Sequence, residues 1–158
     1  MDQPLLALAQ RYLAAGPAFE TPPLDPGTRA PQVQLAVVGA HLAGMPLHWQ
    51  LTSRNARLVR ATHTAPAYRL YAMANSTPPK PALVHSGDGA ALEVEVYELD
   101  HAGFGSFVEE VPAPLAIGTV MLADGSQVKG FVAEPRAVTG ARDITEFGGW
   151  RAYIASIK

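Results

Sequence analysis

Leu35-Ala36-Val37-Val38-Gly39-Ala40-His41-Leu42-Ala43-Gly44-Met45-Pro46 is the stretch on which the reading of this chain turns. An unbroken apolar run that ends in glycine is the pattern of a buried strand, predicted here over Gln34–Ala40. It runs straight into a glycine turn that carries a histidine. A strand ending this way exposes consecutive backbone N–H groups, and such nests bind anions. In that turn Gly39 lets a ligand come close to the backbone, with Ala40 and Leu42 beside it. His41 is then placed to donate a charge-assisted hydrogen bond or to move a proton near neutral pH. Spacing alone leaves the plainer reading open, an ordinary turn with His41 satisfied by a neighbouring carbonyl.

Outward from this stretch the elements are short. Pro46–Asn55 reads as a short helix, and Arg57–Thr62 and Tyr68–Met73 as strands. Leu83–His85 and Leu92–Leu99 follow, joined through Ser86-Gly87-Asp88-Gly89. Leu92, Val94 and Val96 share one face of the second of these, and Glu93, Glu95 and Tyr97 the other. Asp100 caps a helix predicted to Val111, with Phe104, Phe107, Val108 and Val111 as its stripe and Pro112 and Pro114 ending it. Leu115–Leu122 and Gln127–Ala133 form a hairpin around Asp124-Gly125. A last helix spans Glu146–Ile157, with Thr145 as its cap and Phe147, Trp150, Ile154 and Ile157 inward. Gly148 and Gly149 each cost that helix about 1 kcal/mol relative to alanine, so packing recovers this or the helix starts later. Trp49 and Trp150 are expected in the core or in a dimer contact. Strands outnumber helices and the regular strand–helix alternation of a doubly wound sheet is missing. The predicted class is therefore α+β, a small mixed β-barrel or curled sheet with flanking helices.

Ahead of this domain, residues 2–16 carry apolar residues at helical spacing, with Asp2 as cap and Pro4 in the first turn. Pro17, Pro22, Pro23, Pro26 and Pro31 then make residues 17–32 an extended linker, leaving 33–158 as the main domain. At 158 residues the chain is long enough to bury one core without staples. It has no cysteine, which excludes a disulfide framework, a zinc finger and a thiol nucleophile, and fits the cytoplasm. A net charge of −2 offers no basic field for nucleic acid or an anionic membrane, and no apolar run is long enough to span a bilayer.

Lys80 is the second residue that points to chemistry. Pro78, Pro79 and Pro81 hold its backbone in an extended path, so it presents a fixed charge to a carboxylate at low entropic cost. An exposed lysine on a proline-rich turn is the alternative. Tyr71 and the Gly118-Thr119 pair are lesser candidates, read more simply as core packing and strand backbone. His48, His63, His85 and His101 show no metal-ligand spacing, and GxSxG, Walker A and GxGxxG motifs are absent. No cofactor and no metal are expected.

The strand, glycine turn and histidine resemble the ligand cradle of gamma-glutamylcyclotransferase-like proteins. Val37-Val38-Gly39-Ala40-His41-Leu42 with Gly44-Met45-Pro46-Leu47, then Tyr68-Arg69-Leu70-Tyr71-Ala72 and Pro78-Pro79-Lys80-Pro81, look like the C-terminal domain of allophanate hydrolase. Phe104-Gly105-Ser106-Phe107-Val108, Ile117-Gly118-Thr119-Val120 and Phe147-Gly148-Gly149-Trp150-Arg151 extend the likeness over residues 34–154. The resemblance implies a small mixed barrel that acts on N-carboxycarbamate in urea catabolism, toward ammonia and carbon dioxide. His41 then handles the proton, while Gly39, Ala40, Leu42, Pro79, Lys80 and Tyr71 bind the carboxylates. The implied partners are a small anionic dicarboxylate and, with no amidase domain in the chain, a separate amidase; a homodimer is a further option. The chain reads as a free-standing homologue or an excised fragment. An accessory module for an amidase and a cyclotransferase are the alternatives. Cyclotransferases carry a carboxylate base in the helix after the central strands, where this chain aligns Val108. Glu109 and Glu110 project about 100° and 200° away from it on a helix, which disfavours that activity.

Overall fold

The apolar run becomes the central strand of the molecule in the computed structural model, which describes residues 30–158. The helix expected over 2–16 and nearly all of the expected linker 17–32 lie outside the described residues. Strand β1 (Gln32–Val37) starts two residues earlier than predicted and ends at Val37. The chain then turns: the N–H of Leu42 closes on the carbonyl of Gly39 at 3.0 Å, which puts the glycine and histidine in a loop, outside the strand. Leu35, Ala36 and Val37 are all buried, as expected of a strand covered on both faces.

Around β1 a five-stranded sheet forms in the order β2-β5-β1-β7-β6. Its members are β2 (Arg57–His63), β5 (Glu93–Asp100), β6 (Leu115–Met121) and β7 (Gln127–Ala133). β1 runs antiparallel to β5, with Leu35 opposite Tyr97, and parallel to β7, with Leu35 opposite Lys129. The two edge strands meet at one end only. Thr64 and Leu122 form a bridge, the N–H of Ala65 donates to the Met121 carbonyl, and that of Ala123 to the His63 carbonyl, both at 2.9 Å. The sheet is thus curled, and the barrel is not closed. A second sheet, β4-β3-β8, comprises β3 (Tyr68–Ala72), β4 (Pro81–His85) and the two-residue β8 (Arg142–Asp143). β4 packs beside β7 and delivers Ala82 and Leu83 to the common core.

Among the described residues the helices are shorter than their patterns predict. The segment Pro46–Asn55 contains only α1 (Trp49–Thr52), which turns Leu51 inward and leaves Trp49 55% exposed, so Trp49 is no core residue. Helix α2 (His101–Glu109) has the expected cap: the Asp100 carboxylate accepts from the N–H of Gly103 at 2.6 Å. The last helix does start later than Glu146. A 3₁₀ turn over Thr145–Phe147 ends at Gly148, which sits at φ +77°, and α3 (Trp150–Ser156) follows. Thr145 therefore caps nothing. Its hydroxyl instead accepts from the N–H of Leu70 and donates to Asp143. Ile157 lies beyond the end of α3 and is exposed, whereas Trp150 is buried. Among the described residues no helix is long and apolar enough to cross a membrane.

Candidate functional site

Where β1 ends, Val38, Gly39, Ala40 and His41 face Lys80 and Pro81 across a pocket floored by Leu115 and Phe131. It continues into a cleft of about 140 Å³ that adds Gln50, Pro78 and Glu110 to His41 and Lys80. Sites for drug-sized ligands run to roughly 300–1,000 Å³, so this one admits only a ligand of a few atoms.

The cradle is made of backbone. Among the described residues no hydrogen bond uses the N–H of Gly39, Ala40 or His41, although all three residues are buried. Buried N–H groups are ordinarily paired, so three in a row at a pocket wall ask for an acceptor. The bareness of Gly39 serves packing first: a Cβ there would run into the ring of Pro81. That close fit is what seats the Lys80 segment against the loop. Lys80 is half-buried; its N–H donates to the Ser76 hydroxyl at 2.9 Å and its carbonyl accepts from Met73 at 3.1 Å. Its ammonium has no carboxylate partner among the described residues.

His41 is 8% exposed, stacked on Phe131 at 5.0 Å and met edge-on by Phe107 at 5.0 Å. Its Nε2 lies 2.7 Å from Oε1 of Gln50. Burial is the main force holding the imidazole below the ordinary value of 6.5; Lys80 and His48 add to it, while the bond to Gln50 and the charge of Glu110 oppose it. His41 is therefore neutral at physiological pH. A neutral imidazole is not the charge-assisted donor that the sequence suggested. Glu110 stands on the same cleft, its carboxylate 3.2 Å from the guanidinium of Arg54. Glu110 is the C-cap of α2 and lines the cleft, whereas Val108 does not, so an angle away from Val108 does not remove Glu110 from the site.

Of the residues singled out in the sequence, Gly39, Ala40, His41 and Lys80 come together here. Leu42 is fully buried in the core and offers no side chain to the pocket. Pro79 lines a separate hollow with Met45, Pro46 and Trp150. Tyr71 sits on β3 opposite Ala82 and Asp143 and lines no part of the cleft. Gly118 is paired with Gly130 in the β6–β7 hairpin, and Thr119 accepts from Lys129 on the exposed side. No group of His, Asp and Glu among the described residues could hold a metal ion.

A clamp beneath the loop had no counterpart in the sequence reading. Glu95, on the strand face it shares with Glu93 and Tyr97, is 7% exposed. One of its oxygens accepts from the N–H of Ala43 and the hydroxyl of Tyr97, both at 2.9 Å. The other accepts from Arg151 at 2.8 Å. Arg151 also donates to the carbonyl of Ala43 at 2.8 Å and to Glu93 at 2.7 Å. Burial opposes ionisation of Glu95, yet the Ala43 N–H, Arg151 and Tyr97 together hold its carboxyl below the ordinary 4.5. Both polar groups of the Ala43 backbone are thus fixed two residues after His41. The available signal was an acid amid apolar neighbours on a strand, with an arginine far downstream in a helix.

A curled sheet with a backbone cradle at the end of its central strand, and a lone lysine across from it, defines the class of domain. Within that class the chain belongs to the allophanate hydrolase C-terminal domain family, whose model matches residues 33–155. It is 44% identical to the urea amidolyase of Saccharomyces cerevisiae over 87% of its own length, and 44% identical to that of Lachancea kluyveri over 80%. It spans only 8% and 7% of those proteins. A Kluyveromyces lactis allophanate hydrolase structure superposes with TM-score 0.79 and 42% identity, covering 89% of this chain and 24% of that one. A uropathogenic E. coli-specific protein of solved structure matches with TM-score 0.73 and 34% identity, covering 79% of this chain and 97% of that one.

Proposed function

We propose that this domain binds a small dicarboxylate of the N-carboxycarbamate type and promotes its breakdown toward ammonia and carbon dioxide, in the cytoplasm, after a separate amidase has acted on allophanate. The observation that carries this reading is the run of three N–H groups, Gly39 to His41, in one small pocket with the Lys80 ammonium, the N–H groups unengaged and the ammonium without a carboxylate partner among the described residues. One carboxylate takes the N–H groups and the other takes Lys80. Loss of CO2 breaks the C–N bond and leaves its electron pair on nitrogen, which then takes a proton. Preorganised donors stabilise charge in a dry site more than water does. His41 is neutral at rest, so the proton comes from water and the histidine holds the nitrogen in place.

The test couples the domain to an amidase acting on allophanate and follows ammonia and CO2. Release after the first ammonia is expected to accelerate with the domain and to lose that acceleration in Lys80→Met and His41→Ala. Equal release with and without the protein overturns the reading. Glu110, a carboxylate on the same cleft, favours a second reading as a cyclotransferase acting on a gamma-glutamyl amine. That reading requires 5-oxoproline as product and loss of its formation in Glu110→Gln.

A further inference from the structure

We propose that Gln50 is a positioning residue that holds His41 as its Nε2–H tautomer, so that the bare Nδ1 faces the cleft and accepts the N–H of the ligand. This rests on the reading that the cleft takes a dicarboxylate bridged by nitrogen. Gln50 presents its carbonyl oxygen to Nε2 at 2.7 Å, and a carbonyl cannot donate, so the hydrogen belongs to the ring nitrogen. Burial disfavours a second proton on the ring, which leaves Nδ1 unprotonated. The imidazole cannot readily turn to exchange its two nitrogens, because Phe131 covers its face and Phe107 meets it on another side. Nδ1 has no hydrogen-bond partner among the described residues. Among the described residues no polar side-chain atom is both fully buried and unpartnered, so Nδ1 is not sealed off, and the open space beside His41 is the cleft.

The consequence is a preference that the backbone cradle and Lys80 cannot supply. Both of those recognise carboxylates and treat an NH-bridged and a CH2-bridged dianion alike. An acceptor aimed at the bridge favours the one with a hydrogen to give. Loss of one neutral hydrogen bond is worth about three- to tenfold in affinity.

Long-range proton–nitrogen NMR correlations on the ¹⁵N-labelled full chain, without ligand, read the tautomer directly. The expected result is a single Nε2–H form of His41 in the wild type, a mixture of tautomers in Gln50→Leu, and a retained Nε2–H form with a raised pKa in Gln50→Glu. In the coupled assay, Gln50→Leu is expected to raise KM three- to tenfold while leaving the inhibition constant of malonate, which has no bridging N–H, unchanged. An Nδ1–H form in the wild type, or an undiminished Nε2–H form in Gln50→Leu, overturns the proposal. So does an equal loss of malonate and substrate. Failure of malonate to bind the wild type, with the Nε2–H form intact, overturns the dicarboxylate reading and leaves the role of Gln50 in setting the tautomer standing.

Discussion

His41 shows how one side chain is shaped by what encloses it. Packed against Phe107 and Phe131 and 8% exposed, it resists protonation in the folded state, whereas the unfolded chain protonates it around 6.5. The native state therefore gains stability that is complete above 6.5 and is lost as pH falls from there through the lowered folded pKa. Melting temperature is expected to drop between pH 6.5 and 5 in the wild type and to stay flatter there in His41→Gln; equal slopes would refute the assignment. The carboxylates that are held low, Glu95, Asp124 and Asp143, act only below their ordinary values of 4.5 and 3.8, outside this window. The position of His41 at the end of a buried strand was legible in the sequence, because an apolar run and a glycine are local signals. Its neutrality was not, since Phe107 and Phe131, which pack against it, come from other elements. The burial of Glu95 was not legible either. Period-two alternation says which residues share a face, not what covers that face.

At the scale of elements, the site depends on how closely two backbone segments approach. The loop after β1 and the start of β4 touch at Gly39 and Pro81, and the residue before that proline is Lys80. Gly39→Ala forces a methyl group into a ring that cannot flex away. Overpacking of this kind costs about 1–3 kcal/mol, and here it also drives the ammonium away from the cradle. The variant is expected to melt earlier and to bind malonate at least several-fold more weakly. Gly39→Ala combined with Pro81→Ala opens the space and is expected to recover part of both losses, a coupling that a double-mutant cycle measures. Independent losses in the two single variants, adding in the pair, would show that the contact does not set the geometry. Most elements themselves were visible in the pattern: the Asp100 cap, the β6–β7 hairpin around Asp124-Gly125, and the strand–glycine turn. The errors fell at ends. Apolar spacing around Gly148 and Gly149 continued past a residue at φ +77°, and the helix begins only after it. Glu110 differs for another reason: the cleft is lined by Glu110 and not by Val108, so an angle measured from Val108 does not report distance from the site.

For the whole molecule, curling the sheet is what assembles the site from distant parts of the chain. The bridge between Thr64 and Leu122 draws its two edge strands together at one end. Arg151, near the C-terminus of the described chain, reaches across to Glu95 and to the Ala43 carbonyl, while Glu95 takes the Ala43 N–H. Such closures join residues more than fifty positions apart in sequence, as with Glu95 and Arg151, and no local pattern reports them. Charge also has to be weighed over the whole chain. The net charge is −2 and only three lysines are present, Lys80, Lys129 and Lys158. A dianion is therefore not drawn in by a broad positive field, and its attraction to the protein is concentrated on Lys80 and the short-range N–H groups of the cradle. Bulk salt screens exposed charges over a Debye length of about 8 Å at 0.15 M and about 3 Å at 1 M. Lys80 is half-buried and only partly shielded. Malonate affinity measured by calorimetry is expected to fall modestly, by a few-fold, between 0.05 and 1 M salt. In Lys80→Met the affinity is expected to be lower throughout and almost independent of salt, because the remaining contacts are neutral dipoles. A salt slope that survives Lys80→Met would place the attracting charge elsewhere on the protein and would remove Lys80 from the site.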